Sequence, residues 1–210
     1  MPGLPIDFWF DFSCPYAYLA STQRHNLARD ADSTLHLRPF LLGGVFAAIG
    51  QAQNLSSVLS APKASHNRKD LLRWADTFSV AIATPLRHPN RTVDALRVLL
   101  ATPRPHWDSL IDALFALYWV QGRDIADPAQ LQQTLRDLSL DADEVWQLSQ
   151  SETMREDLRN RTQRAVDIGI FGAPAFVVND QLFWGQDRLP FVVRAAHGWN
   201  ATGARQDFHF

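Results

Sequence analysis

The chain has 210 residues, 46% of them apolar and 20% charged, with a formal charge of −2. This is the composition of one soluble globular unit or of a unit carrying a sizeable insertion, and its interspersed charges argue against a nucleic-acid surface or a polybasic membrane patch. No uncharged run approaches the roughly 18 residues of a membrane span. The first residues lack the basic start of a signal peptide, and the only cysteine, Cys14, cannot form an internal disulfide. A reducing, cytoplasmic setting is therefore expected. The seven histidines show no metal-ligand spacing, so no metal site is expected.

In chain order, Ile6 to Phe12 (IDFWFDF) is aromatic and apolar, interrupted only by acids, and reads as a buried strand. Pro15 suits the first position of a helix, and Tyr16, Leu19, Ala20, Gln23 and Leu27 recur at helical spacing. Thr34 to Phe40 alternates and reads as a second strand. From Leu41 the small residues suggest loops and short helices, followed by a helix over Arg68–Val80. A proline-broken loop then leads into another helix, and Trp107 to Val120 forms a strongly apolar one, exposed enough to serve a homodimer.

Asp127 and Pro128 have the pattern of an N-cap and first helical residue, and Asp141 and Glu144 stand at capping-box spacing. A long polar-faced helix from Ser151 closes on Gly169. Ala173–Asn179 and Gln181–Gly185 then read as a hairpin turning at Asn179-Asp180, with a last helix from about Asp187 to His197. The order is βαβ, a helical block, then ββα. It divides the chain into residues 1–40 plus 170–210 and an inserted helical unit, 41–169.

Two features carry chemistry. Cys14 stands at a helix N-terminus, where free N–H groups and the helix dipole favour an anion, so its pKa is expected to be depressed; otherwise Cys14 is a small apolar filler. In FGAPAF, Pro174 opens a strand. A trans bond would be ordinary there, whereas a cis bond would turn the Ala173 backbone N–H and C=O toward a ligand.

FDFSCPYAYLAS, RWA (Arg73–Ala75), FGAPAF and FWGQDRL occur in the same order as similar motifs of the 2-hydroxychromene-2-carboxylate isomerases and kappa-class glutathione transferases. The opening motif of that family is D-F-x-S-P-[FY]-[SA]-Y-L-A. The resemblance implies an α/β, thioredoxin-like fold with a large all-helical insertion, the DsbA-like arrangement. It also implies glutathione as cofactor and a small aromatic substrate. Cys14 replaces the family serine that contacts the glutathione sulfur. The second cysteine of a redox C-x-x-C would fall at Ala17, so CPYA cannot close a disulfide.

By the resemblance, Cys14 is the catalytic position, and Ala173 with Pro174 pairs with the cysteinyl part of glutathione. Gln186 and Asp187 take its γ-glutamyl end, Asp187 also serving as a helix N-cap, and Asn54 and Lys63 add polar contacts. A substrate carboxylate needs a cation, for which Arg91 is the first candidate and Arg87 the second; both also suit a solvated surface. Tyr16 and Trp184 can wall an aromatic substrate or belong to the core. The competing classes are a kappa-like transferase or monothiol oxidoreductase using Cys14, and a non-catalytic binding module.

Overall fold

The computed structural model describes residues 2–53, 58–85 and 87–200. The chain forms β1 (Ile6–Phe10), α1 (Pro15–Thr22), α2 (Arg24–Asp30) and β2 (Leu35–Pro39). Helices α3 (Leu42–Ala48), α4 (Ala61–Thr77), α5 (Val93–Ala101), α6 (Trp107–Trp119), α7 (Pro128–Asp137), α8 (Ala142–Ser149) and α9 (Glu152–Asp167) follow. β3 (Ala175–Val178), β4 (Gln181–Trp184) and α10 (Leu189–Ala196) complete it. The sheet order is β2-β1-β3-β4, with β1 parallel to β2 and antiparallel to β3, and β3 antiparallel to β4. This is a DsbA-like thioredoxin fold.

Local chemistry explains where elements begin and end. The first helical stretch is two helices, α1 and α2, broken at Gln23. Ser21 Oγ and Thr22 Oγ1 donate back to the Tyr18 and Leu19 carbonyls at 2.8 and 2.7 Å, competing with the helical ladder. Helix α4 starts at Ala61, earlier than the expected Arg68, with Pro62 in its first turn. Asp127 caps α7 through Ala129 N, and Asp141 caps α8 through Glu144 N. Asn179 and Asp180 both hold positive φ (45° and 65°), as a tight hairpin turn requires.

The core is aromatic. Phe8 stacks on Phe176 at 5.0 Å, Phe10 meets Phe12 at 5.8 Å, and Phe12 meets Phe115 of α6 at 4.9 Å. Helix α6 is thus a core helix, which corrects the expectation of an exposed apolar face for dimerisation. Leu110, Ile111, Leu114, Phe115 and Tyr118 are all buried, and of its large apolar residues only Val120, beyond its end, is exposed. A helix apolar around most of its circumference belongs inside.

Polar ties hold α6 to the sheet layer. Trp119 Nε1 donates to the Phe12 carbonyl at 2.8 Å. Arg24, 3% exposed, spends its guanidinium on Asp108 and Asp112 of α6 and on the Ser21 carbonyl. Among the described residues no helix is long and apolar enough to cross a membrane.

Because Phe115 joins the sheet and α6, Phe115→Ala should remove about 3–5 kcal/mol of stability. Urea unfolding monitored by circular dichroism measures this; a loss below about 1 kcal/mol would show that the aromatic contact does not couple the two layers.

Candidate active site

Strand β1 ends at Phe10, and the chain turns through Asp11 to Cys14. Asp11 is fully buried. Its carboxylate accepts from Ser13 N (2.9 Å), Leu42 N (2.7 Å) and Thr92 Oγ1 (2.7 Å). One side chain therefore fixes the turn before the thiol, the start of α3 and the start of α5. Burial pushes the Asp11 carboxyl up, and the three donors pull it back.

Cys14 stands at the N-cap of α1 in extended geometry, with Pro15 in the first turn. Its Sγ donates to the Ala173 carbonyl at 3.0 Å. The expected depression of its pKa is overturned: burial pushes the thiol up to about 12. The nearby Tyr16 and Ala17 N–H groups lower it, but desolvation of the thiolate outweighs them and the Asp11 charge adds to the rise. At neutral pH Cys14 is a protonated hydrogen-bond donor.

The Ala173-Pro174 bond is cis, resolving the two sequence possibilities. The Ala173 carbonyl faces Cys14, and the Pro174 carbonyl accepts from Gly185 N at 3.0 Å. The Ala173 N–H has no partner among the described residues. Beyond β4, Gly185 takes φ 109°, a glycine conformation, and the chain enters a short 3-10 turn at Gln186–Arg188. Gln186 is buried, and its carboxamide has no partner among the described residues. Asp187 bonds Arg188 Nη1 at 2.7 Å and does not cap α10, whose N-cap residue is Arg188. The capping role is thereby corrected, and the last helix starts at Leu189 rather than Asp187.

Tyr16 lies half-buried on α1, with its hydroxyl 3.5 Å from the Asn67 carbonyl of α4, the limit of a hydrogen bond. Burial raises its pKa first, followed by Asp70, Cys14 and Asp187, all within electrostatic reach. Trp184 is half-exposed and packs on Phe171 at 5.1 Å. Its Nε1 would lie 2.6 Å from any Cβ at Gly172, so a side chain there would have to displace the Trp184 ring.

Cys14, Tyr16, Ala173, Pro174, Gln186 and Asp187 thus gather around one turn. Lys63 is exposed in the first turn of α4, two turns before Asp70. Arg91 is exposed beside Thr92, at the start of α5, and its guanidinium has no carboxylate partner among the described residues. Arg87 stands apart, 3.5 Å from Asp124. Asn54 lies outside the described residues. Among the described residues no His, Cys, Asp and Glu group could hold a metal ion. Asp11, Thr92, Asp70 and Phe171 were not anticipated. The one available signal was an acid inside an apolar strand, since a carboxylate there must find donors.

A thioredoxin-fold scaffold with a cis-proline loop facing a thiol at a helix start defines the class. The description of the DSBA-like thioredoxin domain matches residues 5–196, and the chain belongs to that family. It is 31% identical over 190 residues to the 2-hydroxychromene-2-carboxylate isomerase of Sphingobium xenophagum, covering 89% of this chain and 95% of that one. It is 27% identical over 205 residues to glutathione S-transferase kappa 2 of Caenorhabditis elegans, covering 89% of each. A solved 2-hydroxychromene-2-carboxylate isomerase superposes with a TM-score of 0.80 at 25% identity, over 93% of this chain and 95% of that one.

Iodoacetamide should alkylate Cys14 at pH 8 on the order of a thousandfold more slowly than a free thiol, because only the thiolate reacts. The raised pKa also means that the stability due to the neutral thiol is full below about pH 9 and declines as pH rises toward 12. Alkylation at the free-thiol rate in the folded protein, followed by mass spectrometry, would contradict the buried neutral thiol. Asp11→Ala strips three buried donors of their acceptor and should cost about 3 kcal/mol or more; unchanged denaturant unfolding would deny Asp11 that role.

Proposed function

We propose that this protein is a glutathione-dependent isomerase of the 2-hydroxychromene-2-carboxylate type, acting in aromatic compound degradation in the reducing cytoplasm. The reading is carried by a neutral Cys14 thiol, hydrogen-bonded to Ala173, at the position where the similar isomerases have a serine. A thiol with a pKa of about 12 is a poor nucleophile but a serviceable donor. That favours the isomerase over a monothiol oxidoreductase.

The free groups fit glutathione. The unpaired Ala173 N–H suits its backbone in the manner of an added strand. The unpartnered Gln186 carboxamide and the Asp187 carboxylate suit the γ-glutamyl end, and Lys63, exposed in the first turn of α4, is a further polar candidate from the helical unit, residues 41–169. Held there, glutathione would supply a thiolate for reversible addition to the conjugated double bond of the substrate. Cys14 turns its S–H from the Ala173 carbonyl toward the glutathione sulfur, and the start of α1 favours negative charge there. Tyr16 and the Trp184–Phe171 pair wall the aromatic ring, and Arg91 holds the carboxylate, with Arg87 second.

The purified protein should isomerise 2-hydroxychromene-2-carboxylate only when glutathione is added, and Cys14→Ser should retain that activity, since a hydroxyl donates at least as well. Complete loss in the serine variant would make the thiol a nucleophile and replace the isomerase with an oxidoreductase. Asp187→Asn should weaken glutathione binding by roughly tenfold or more, as loss of a charge-assisted hydrogen bond does. Its ligand-free melting temperature should barely move, because the half-exposed Asp187–Arg188 pair contributes little. Unchanged affinity by calorimetry would place the γ-glutamyl pocket elsewhere.

A further inference from the structure

Away from the thiol, a groove of about 330 Å³ runs between the edge strand β2 and the start of α6. Its walls include Leu35, Leu37, Arg38, Arg104 and Trp107, none of which belongs to the group around Cys14. The ring of Trp107 is buried and anchored by Nε1 to the Thr102 carbonyl at 2.9 Å. The guanidinium carbon of Arg104 sits over it, 3.7 Å from the ring centroid. Stacking holds the guanidinium plane while leaving its edge donors free.

Most charges around the groove are taken up in ion pairs. Asp7 is occupied by Arg38 at 2.9 Å and by His36 at 3.2 Å. Asp108, itself a wall of the groove, shares the buried Arg24 with Asp112, and Asp157 pairs with Arg161 at 2.9 Å. Arg104 has no carboxylate partner among the described residues. Burial lowers its pKa first, Arg161 and Arg38 lower it further, and Asp157 opposes them.

The strand edge adds donors. Ile6 N bonds Thr34 O, and Phe40 N bonds Phe10 O. In a parallel pair in this register, the even-numbered residues of β2 spend their amides on β1. The amides of Leu35 and Leu37 therefore face away from β1, on the open side of the strand. Both residues border the same groove.

We propose that this groove binds a small organic carboxylate with an apolar body. Arg104 takes the carboxylate through its forked donors, and Leu35, Leu37 and the rim of Trp107 take the body. A planar fork free of other partners matches a carboxylate bidentately, and a leucine-lined floor is wasted on a bare inorganic anion. The site is separate from the thiol turn, so this inference stands whether or not the isomerase reading holds.

Calorimetric titration with benzoate, acetate and inorganic phosphate tests it on the full chain. Benzoate should bind the wild-type protein, with acetate and phosphate roughly tenfold weaker or more. Arg104→Gln should weaken benzoate by roughly tenfold or more, while Arg29→Gln, on α2 and outside both the groove and the thiol turn, should leave it unchanged. Arg104→Lys keeps the charge but loses the fork and should also bind more weakly than wild type; circular dichroism on each variant checks the fold. Absence of benzoate binding, equal binding by Arg104→Gln, loss in Arg29→Gln instead, or phosphate binding as tightly as benzoate would each overturn the proposal.

Discussion

The buried carboxylate of Asp11 is the contact on which the rest of the site depends. Three separate chain segments donate to it: the turn before the thiol, the first residue of α3 and the residue that opens α5. No other side chain described above bonds both the sheet layer and two helices of the block between β2 and β3. The hydrophobic effect can press these layers together, but it is not directional. Hydrogen bonds to one charged acceptor are directional and roughly twice as strong as neutral ones. A site assembled from a strand end, a helix start and the inserted helices needs such a fixed point.

The thiol is set by a contest between two effects of opposite sign. The start of α1 favours a thiolate through its N–H groups and dipole. Burial against the Ala173 loop disfavours the same thiolate by desolvation, and the nearby Asp11 charge adds to this. Burial wins because first-turn dipole effects are of the order of 1 kcal/mol, whereas desolvation of a buried charge is worth several times that. A cysteine placed this way resembles a hydroxyl in function: it donates, and it titrates outside the physiological range.

Much of the architecture was legible in the sequence, because it rests on local signals. The aromatic run of β1, the proline at the start of α1, the Asn179-Asp180 turn and the caps at Asp127 and Asp141 all act within a few residues. Where the reading failed, the deciding partner was distant in sequence or of another kind. Helix α6 looked exposable because its apolar surface is obvious, while the sheet aromatics that cover it, Phe10 and Phe12, come from nearly a hundred positions earlier. The pKa of Cys14 was misjudged because the pattern shows the helix start but not the depth of burial. The capping role for Asp187 followed from position, but Arg188 captures the carboxylate and the chain makes a 3-10 turn there first. Asp70 could not be foreseen at all, since nothing local links α4 to the thiol turn.

The position of α4 shows what the helical block adds to an otherwise ordinary thioredoxin layer. The layer alone provides a helix start, a thiol and the Ala173 backbone, enough to hold a sulfur atom and a short extended peptide. It has no wall on the side facing Tyr16. Helix α4 supplies that wall, bringing the Asn67 carbonyl to the Tyr16 hydroxyl and Asp70 within electrostatic reach of it. Together with Asp187, this surrounds the phenol with groups that repel a phenolate and keep it protonated. Tyr16 therefore remains a neutral aromatic wall with a donor at its tip across the working pH range. The sheet layer thus fixes the thiol and the Ala173 backbone, while the helical block fixes the groups around the Tyr16 hydroxyl.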